Sequence, residues 1–171
     1  MQTIDHLLSI GVPKVQFSAV STTEKHYLTQ DAKMYLLDLT PMQVSDCVRG
    51  LLERKAQHPE RIGPSARFIR GIGTYFQRPS QVVFPCFAGY LALDVYYDGS
   101  VFLCGNLPRV GNIKDHTLSS IWTGSEASQL RKNMVEGKCP NCYFSCKMEP
   151  SIAANYKYLP SFSIEKIFSS S

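Results

Sequence analysis

Five of the six cysteines in this chain, at 86, 104, 139, 142 and 146, fall within one stretch, and only Cys47 stands apart. Thiols gathered in this way in a reducing compartment more often hold a metal or do redox chemistry than pair as disulfides. The opening residues, Met1-Gln2-Thr3-Ile4-Asp5-His6, have neither the basic nor the apolar region of a secretory signal. The expected address is therefore the cytoplasm, and the expected cysteine chemistry is a zinc site or an iron–sulfur cluster. At 171 residues, 44% hydrophobic and 19% charged, the chain has enough apolar surface for a core of its own. Its 18 basic and 14 acidic groups are spread along the chain, which makes no basic stripe for nucleic acid. No apolar run approaches the roughly 18 residues of a membrane helix. Neither nucleic acid nor membrane is an expected partner.

Residues 3–10 read as a helix closed by Gly11, followed by an alternating strand over 15–20 with Val15, Phe17 and Ala19 on one face. An apolar run over 34–39 suggests a second strand or buried segment. Thr40-Pro41 then supplies an N-cap and a first-turn proline. The helix they start carries Val44, Cys47, Val48, Leu51 and Leu52 as one apolar stripe, which places Cys47 in a core, and His58-Pro59 ends it. Residues 65–77 fit a helix, but Gly71, Gly73 and Pro79 argue for interruption, and Gly71-Ile72-Gly73 reads as a turn rather than a phosphate loop because position 76 is Phe. Beyond it, residues 90–97 and 100–104 flank Asp98-Gly99, which predicts a β-hairpin with a two-residue type I′ turn. Helices are expected over 118–122 and 125–135, with Gly137 as the stop. The last twenty residues read as a short helix and a Ser-rich tail. His6, His26, His58 and His116 show no metal spacing, His116 reads as surface, and Trp122, the one tryptophan, reads as a core anchor.

Cys86 and Cys104 bracket the first arm of the hairpin, and Cys139-x2-Cys142 follows after 34 intervening residues. A C-x2-C turn places two sulfurs beside free backbone N–H groups, which suits both Zn²⁺ and an iron–sulfur cluster. Zinc ribbons use such a knuckle in both halves, whereas the first pair here is separated by seventeen residues, which moves the balance toward iron–sulfur. The pattern Cys86-x12-Gly99-x4-Cys104, then Cys139-x2-Cys142, resembles the auxiliary-cluster domains, SPASM and twitch, of radical S-adenosylmethionine enzymes. So do Cys86-Phe87-Ala88-Gly89, residues 98–104, Gly111-Asn112-Ile113 and residues 118–122, and the likeness spans roughly residues 82–147.

The resemblance implies Cys86, Cys104, Cys139 and Cys142 as ligands of one auxiliary [4Fe-4S] cluster for electron transfer or substrate positioning, in the one-cluster twitch form; Cys146 is left over, as a spare ligand, a redox-active thiol or a packing residue. The family's radical-forming C-x3-C-x2-C is absent. Cys139-x2-Cys142-x3-Cys146 has the spacings reversed, and Glu149 stands where a further cysteine is needed. S-adenosylmethionine is therefore not expected on this chain alone, which resembles part of a radical SAM oxidoreductase or peptide- or natural-product-modifying enzyme without being a complete catalyst. The expected fold class is α/β (α+β). A partial α/β-barrel remnant over 1–80 precedes a module of β-hairpin, helix and cysteine-rich loop over 81–150, and a C-terminal helix and tail occupy 151–171. The implied partners are an electron-transfer protein or a peptide or small-molecule substrate. A structural zinc module for protein contacts and a truncated inactive fragment are the rival readings. Arg109, Lys138 and Lys147 lie near the cysteines in sequence and read as solvated surface charges, with the backbone amides of 139–142 as the expected donors to sulfur.

Overall fold

The computed structural model describes residues 1–20, 39–78, 83–138 and 142–158. The expected segment at 34–38 and the tail beyond 158 lie outside them. In chain order the elements are α1 (Gln2–Ser9), α2 (Pro41–Gln57), α3 (Ala66–Gln77), α4 (Ala88–Leu91), β1 (Asp94–Val95), β2 (Ser100–Phe102), β3 (Gly111–Asn112), α5 (Leu118–Thr123), α6 (Ser125–Val135) and α7 (Ser145–Tyr158). The fold is mixed α/β, and among the described residues the only sheet is antiparallel, in the order β1-β2-β3. No helix among them is long and apolar enough to cross a membrane.

Local chemistry explains the helix starts. Thr40 and Gln43 form a reciprocal capping box ahead of Pro41: the Gln43 N–H donates to Thr40 Oγ1 at 3.2 Å and the Thr40 N–H to Gln43 Oε1 at 2.8 Å. Ser65 caps α3 through the Phe68 N–H (3.1 Å), and Thr117 caps α5 through the Ser120 N–H (3.2 Å). At the end of α6, Gly137 N–H bonds Met134 O and Lys138 N–H bonds Asn133 O, the paired closure of a Schellman motif.

Two packed clusters organise the chain. The first joins Leu8, Val15, Ala19, Leu51, Ile62, Phe68, Ile69, Ile72 and Tyr75 with Tyr143, Met148 and Ile152 from the last helix. The second is Ala88, Leu103, Cys104, Ala127 and Met134, and Cys86 packs against both. Further bonds tie the ends together: Ser145 N–H donates to Ser18 Oγ (3.0 Å), and Ser65 N–H to Glu149 Oε1 (2.5 Å).

Several expectations need correction. Val15 and Ala19 are buried and Phe17 half-buried as the alternation predicts, but pairing is limited to one parallel bridge from Val15 to Ile62. Cys47 is exposed rather than core. The side of α2 it shares with Gly50 and Arg54 is met by the N-terminal segment, Met1 lying at Gly50 and Asp5 of α1 at Arg54, one and two turns further along. Gly71 and Gly73 lie inside α3, not in a turn. The apolar residues 88–91 form a helical turn, so the first hairpin arm shrinks to β1. The last helix begins earlier than expected, at Ser145.

The hairpin turn also differs from the expected type. A type I′ turn needs positive φ at both central residues. No described non-glycine residue has one, while Gly99 stands at φ +88°. The pairing Val95↔Val101 continues to Tyr96 and Ser100, with Tyr96 N–H bonded to Ser100 O and Gly99 N–H to Tyr96 O. This is a three-residue loop: a tight turn through Tyr97 and Asp98, then Gly99 in the left-handed region. Asp98 locks it by accepting from the Ser100 N–H and hydroxyl, both at 2.9 Å, and these bonds hold its carboxyl below the usual range. A Cβ on Gly99 would lie 2.6 Å from Asn112 Oδ1, which is itself engaged by the Lys114 N–H. Gly99→Ala should therefore cost about 2 kcal/mol, left-handed strain and contact combined, read as a fall of about 6 °C in the thermal unfolding midpoint. An unchanged midpoint would rule out this turn.

Candidate metal centre

Cys104 follows β2 by two residues and is buried, and Leu107 N–H closes a turn onto its carbonyl. The sheet therefore sets where this sulfur lies. Cys86 precedes α4 and is partly buried. Burial pushes its thiol up, the Ala88 N–H donated to its sulfur opposes this, and the nearby Cys104 raises it further. The Lys147 ammonium also favours its thiolate. Cys86 packs against the cluster that contains Cys104, so two separate segments bring these two thiols near each other.

Cys142 is partly buried and sits beside Tyr143, whose ring fixes this part of the chain. Tyr143 stacks on Phe68 at 4.7 Å between ring centroids and on Tyr75 at 5.6 Å, and its hydroxyl donates to Phe68 O at 3.1 Å. Cys146 is exposed in the first turn of α7. Cys139 and the amides of 139–141 lie outside the described residues, and among those described no group of three His, Cys, Asp or Glu residues is arranged to hold a metal.

Of the three nearby cations, Arg109 is exposed and Lys138 is a surface partner of Glu136 at 2.7 Å, as surface charges are expected to be. Lys147 is different. Its side chain is only 18% exposed and its Nζ lies 3.2 Å from Asp94 Oδ2 on β1. Burial alone would lower its pKa, but the Asp94 hydrogen bond and charge, with Cys104 and Cys146, leave it raised. The ammonium is therefore charged at neutral pH.

Sequence reasoning passed over three other residues. Ser151, fully buried on α7, accepts from the Phe87 N–H at 2.9 Å and donates to Lys147 O at 2.7 Å. Arg131, also buried, lies with its guanidinium 4.1 Å over the Trp122 ring and donates to Trp122 O (2.7 Å) and Gly89 O (2.8 Å), which pins α4, α5 and α6 together. Trp122 is thus a packing anchor, as expected, and His116 is exposed. Asn106, two residues after Cys104, buries its Nδ2 with no acceptor among the described residues. Only the short spacing of Asn106 from Cys104 was visible beforehand, because hydrogen-bond donors around a site follow no sequence spacing.

These features fit a sulfur-ligated cluster. The ligand atoms brought together are thiols, and the groups around them, an N–H and an ammonium, are a hydrogen-bond donor and a cation suited to anionic sulfur. A buried amide donor without an acceptor calls for one, and a cluster sulfur is an acceptor of that kind. Residues 86–147 match the model of the SPASM iron-sulfur cluster-binding domain. No curated protein and no solved structure matches the chain.

Proposed function

We propose that the chain binds one [4Fe-4S] cluster through Cys86, Cys104, Cys139 and Cys142 and serves in electron transfer. The observation that carries this reading is the domain match over residues 86–147, which takes in all four cysteines. The convergence of Cys86 and Cys104 beside hydrogen-bond donors supports it. Such a cluster supplies one-electron redox chemistry. Four cysteine ligands leave no iron open to substrate, which favours electron transfer over direct substrate ligation. The sequence contains no C-x3-C-x2-C, so radical generation is not assigned to it, and the chain is read as similar to the C-terminal portion of a radical SAM protein. Its partner would be an electron donor or acceptor.

The chain's own residues have separate tasks in this reading. Ala88 N–H and the Lys147 ammonium stabilise the Cys86 thiolate, Ser151 ties the Cys86 segment to α7, Asn106 donates toward sulfur, and Tyr143 holds the Cys142 backbone against α3. The test is anaerobic reconstitution of the full chain, with iron, sulfide and zinc counted and absorbance near roughly 400 nm recorded. About four irons and four sulfides per chain are expected, lost in Cys86→Ala and Cys139→Ala and retained in Cys47→Ala. Stoichiometric zinc without colour would overturn the redox reading in favour of a structural module.

A further inference from the structure

Among the described residues Lys147 is the partly buried cation at the thiol pair, and it is held at both its backbone and its ammonium. Its own carbonyl accepts from Ser151 Oγ, one turn along α7, and that same oxygen accepts from the N–H of Phe87, next to Cys86. This face of α7 is therefore seated on the Cys86 segment. At its far end, the Lys147 ammonium meets Asp94 at 3.2 Å, and Asp94 pairs across the sheet with Phe102, two residues before Cys104. The ammonium is thus held between the two segments that carry Cys86 and Cys104, within electrostatic reach of Cys86, Cys104 and Cys146. An ordinary surface lysine is solvated and free to turn; this one is 18% exposed and anchored.

We propose that Lys147 and Asp94 form an opposed charge pair that sets the reduction potential of the cluster, Lys147 raising it and Asp94 lowering it. The inference rests on the cluster assigned above. One-electron reduction adds a negative charge to a site that already carries roughly −2. A fixed cation nearby stabilises the reduced state more than the oxidised one, and a fixed anion does the reverse. Neither residue ligates iron, so both are positioning groups that act on its electrostatic surroundings.

The test is a redox titration of the reconstituted full chain, wild type beside Lys147→Met and Asp94→Asn, with iron counted and the spectrum of the reduced form recorded for each. Lys147→Met should make the cluster harder to reduce, with the equilibrium constant for reduction by a fixed donor falling about tenfold. Asp94→Asn should shift it the opposite way. Shifts of opposite sign, with iron content and spectral type retained, support the pair. Any other pattern in loaded protein overturns it, including equal losses of thermal stability without potential shifts, which is what a merely structural clamp would give. If Lys147→Met does not load, Asp94→Asn decides alone: an easier reduction supports the proposal and anything else overturns it. A wild-type chain that takes up no iron would instead overturn the cluster reading itself, so the two failures are distinct.

Discussion

Gly71→Ala should destabilise the protein by about 3 kcal/mol, while Gly73→Ala, two residues away on the same helix, should stabilise it by about 0.7 kcal/mol. The two glycines look alike in sequence, and both would normally be poor residues for the interior of α3. Their surroundings differ. A Cβ at Gly71 would overlap the Tyr143 hydroxyl oxygen and stand 2.7 Å from its Cζ and 3.0 Å from Val83 Cγ1. Tyr143 cannot yield cheaply, because its ring lies against Phe68 and Tyr75 and its hydroxyl bonds Phe68 O. At Gly73 the nearest atom is Val48 Cγ2 at 3.7 Å, an ordinary contact. Thermal unfolding followed by circular dichroism should show the midpoint lower by about 9 °C for Gly71→Ala and higher by about 2 °C for Gly73→Ala. Equal and small effects at both positions would mean that Tyr143 does not occupy the space over Gly71.

The same pair of glycines shows where sequence reading runs out. Local propensity counts each glycine against a helix by about 1 kcal/mol, and nothing local reveals that Tyr143, far along the chain, occupies the space over Gly71. The place of the hairpin was legible because Asp98-Gly99 sits between two β-rich runs. Its size was not, since an apolar run such as residues 88–97 suits a helical turn as well as a strand until its packing partners are known. The stripe containing Cys47 was read correctly in period but not in coverage, which depends on where α1 ends against α2. At the site, the gathering and spacing of the cysteines were visible in the sequence. The donors around them were not, because Ser151 and Asn106 follow no spacing rule and Lys147 differs from Lys138 only in what the fold places beside it.

Tyr143 should be the side chain whose removal is felt most widely. It is buried to 1% exposure and joins the residue after Cys142 to the core of the first half of the chain. Tyr143→Ala removes an aromatic ring from a packed site and should cost about 4 kcal/mol. Because the Cys142 backbone is positioned by that ring, iron retained after reconstitution and desalting should also fall. Tyr143→Phe keeps the stack and loses only the bond to Phe68 O, at a cost of about 1 kcal/mol, and should retain iron. Wild type also separates from both variants on the alkaline side. Burial, reinforced by the Glu149 charge and only partly offset by Arg67, pushes the Tyr143 hydroxyl well above the ordinary tyrosine value. The folded state therefore prefers the protonated form, whose stabilisation is complete below the unfolded-state pKa of about 10 and declines as pH rises above it. Wild type should lose stability from about pH 10 upward, and Tyr143→Phe should lose less over the same range, measured as denaturant midpoints at each pH. If Tyr143→Ala were to keep full iron and near-wild-type stability, Cys142 would have to be positioned by some other contact and the link between the first core and the cysteine module would not run through this ring.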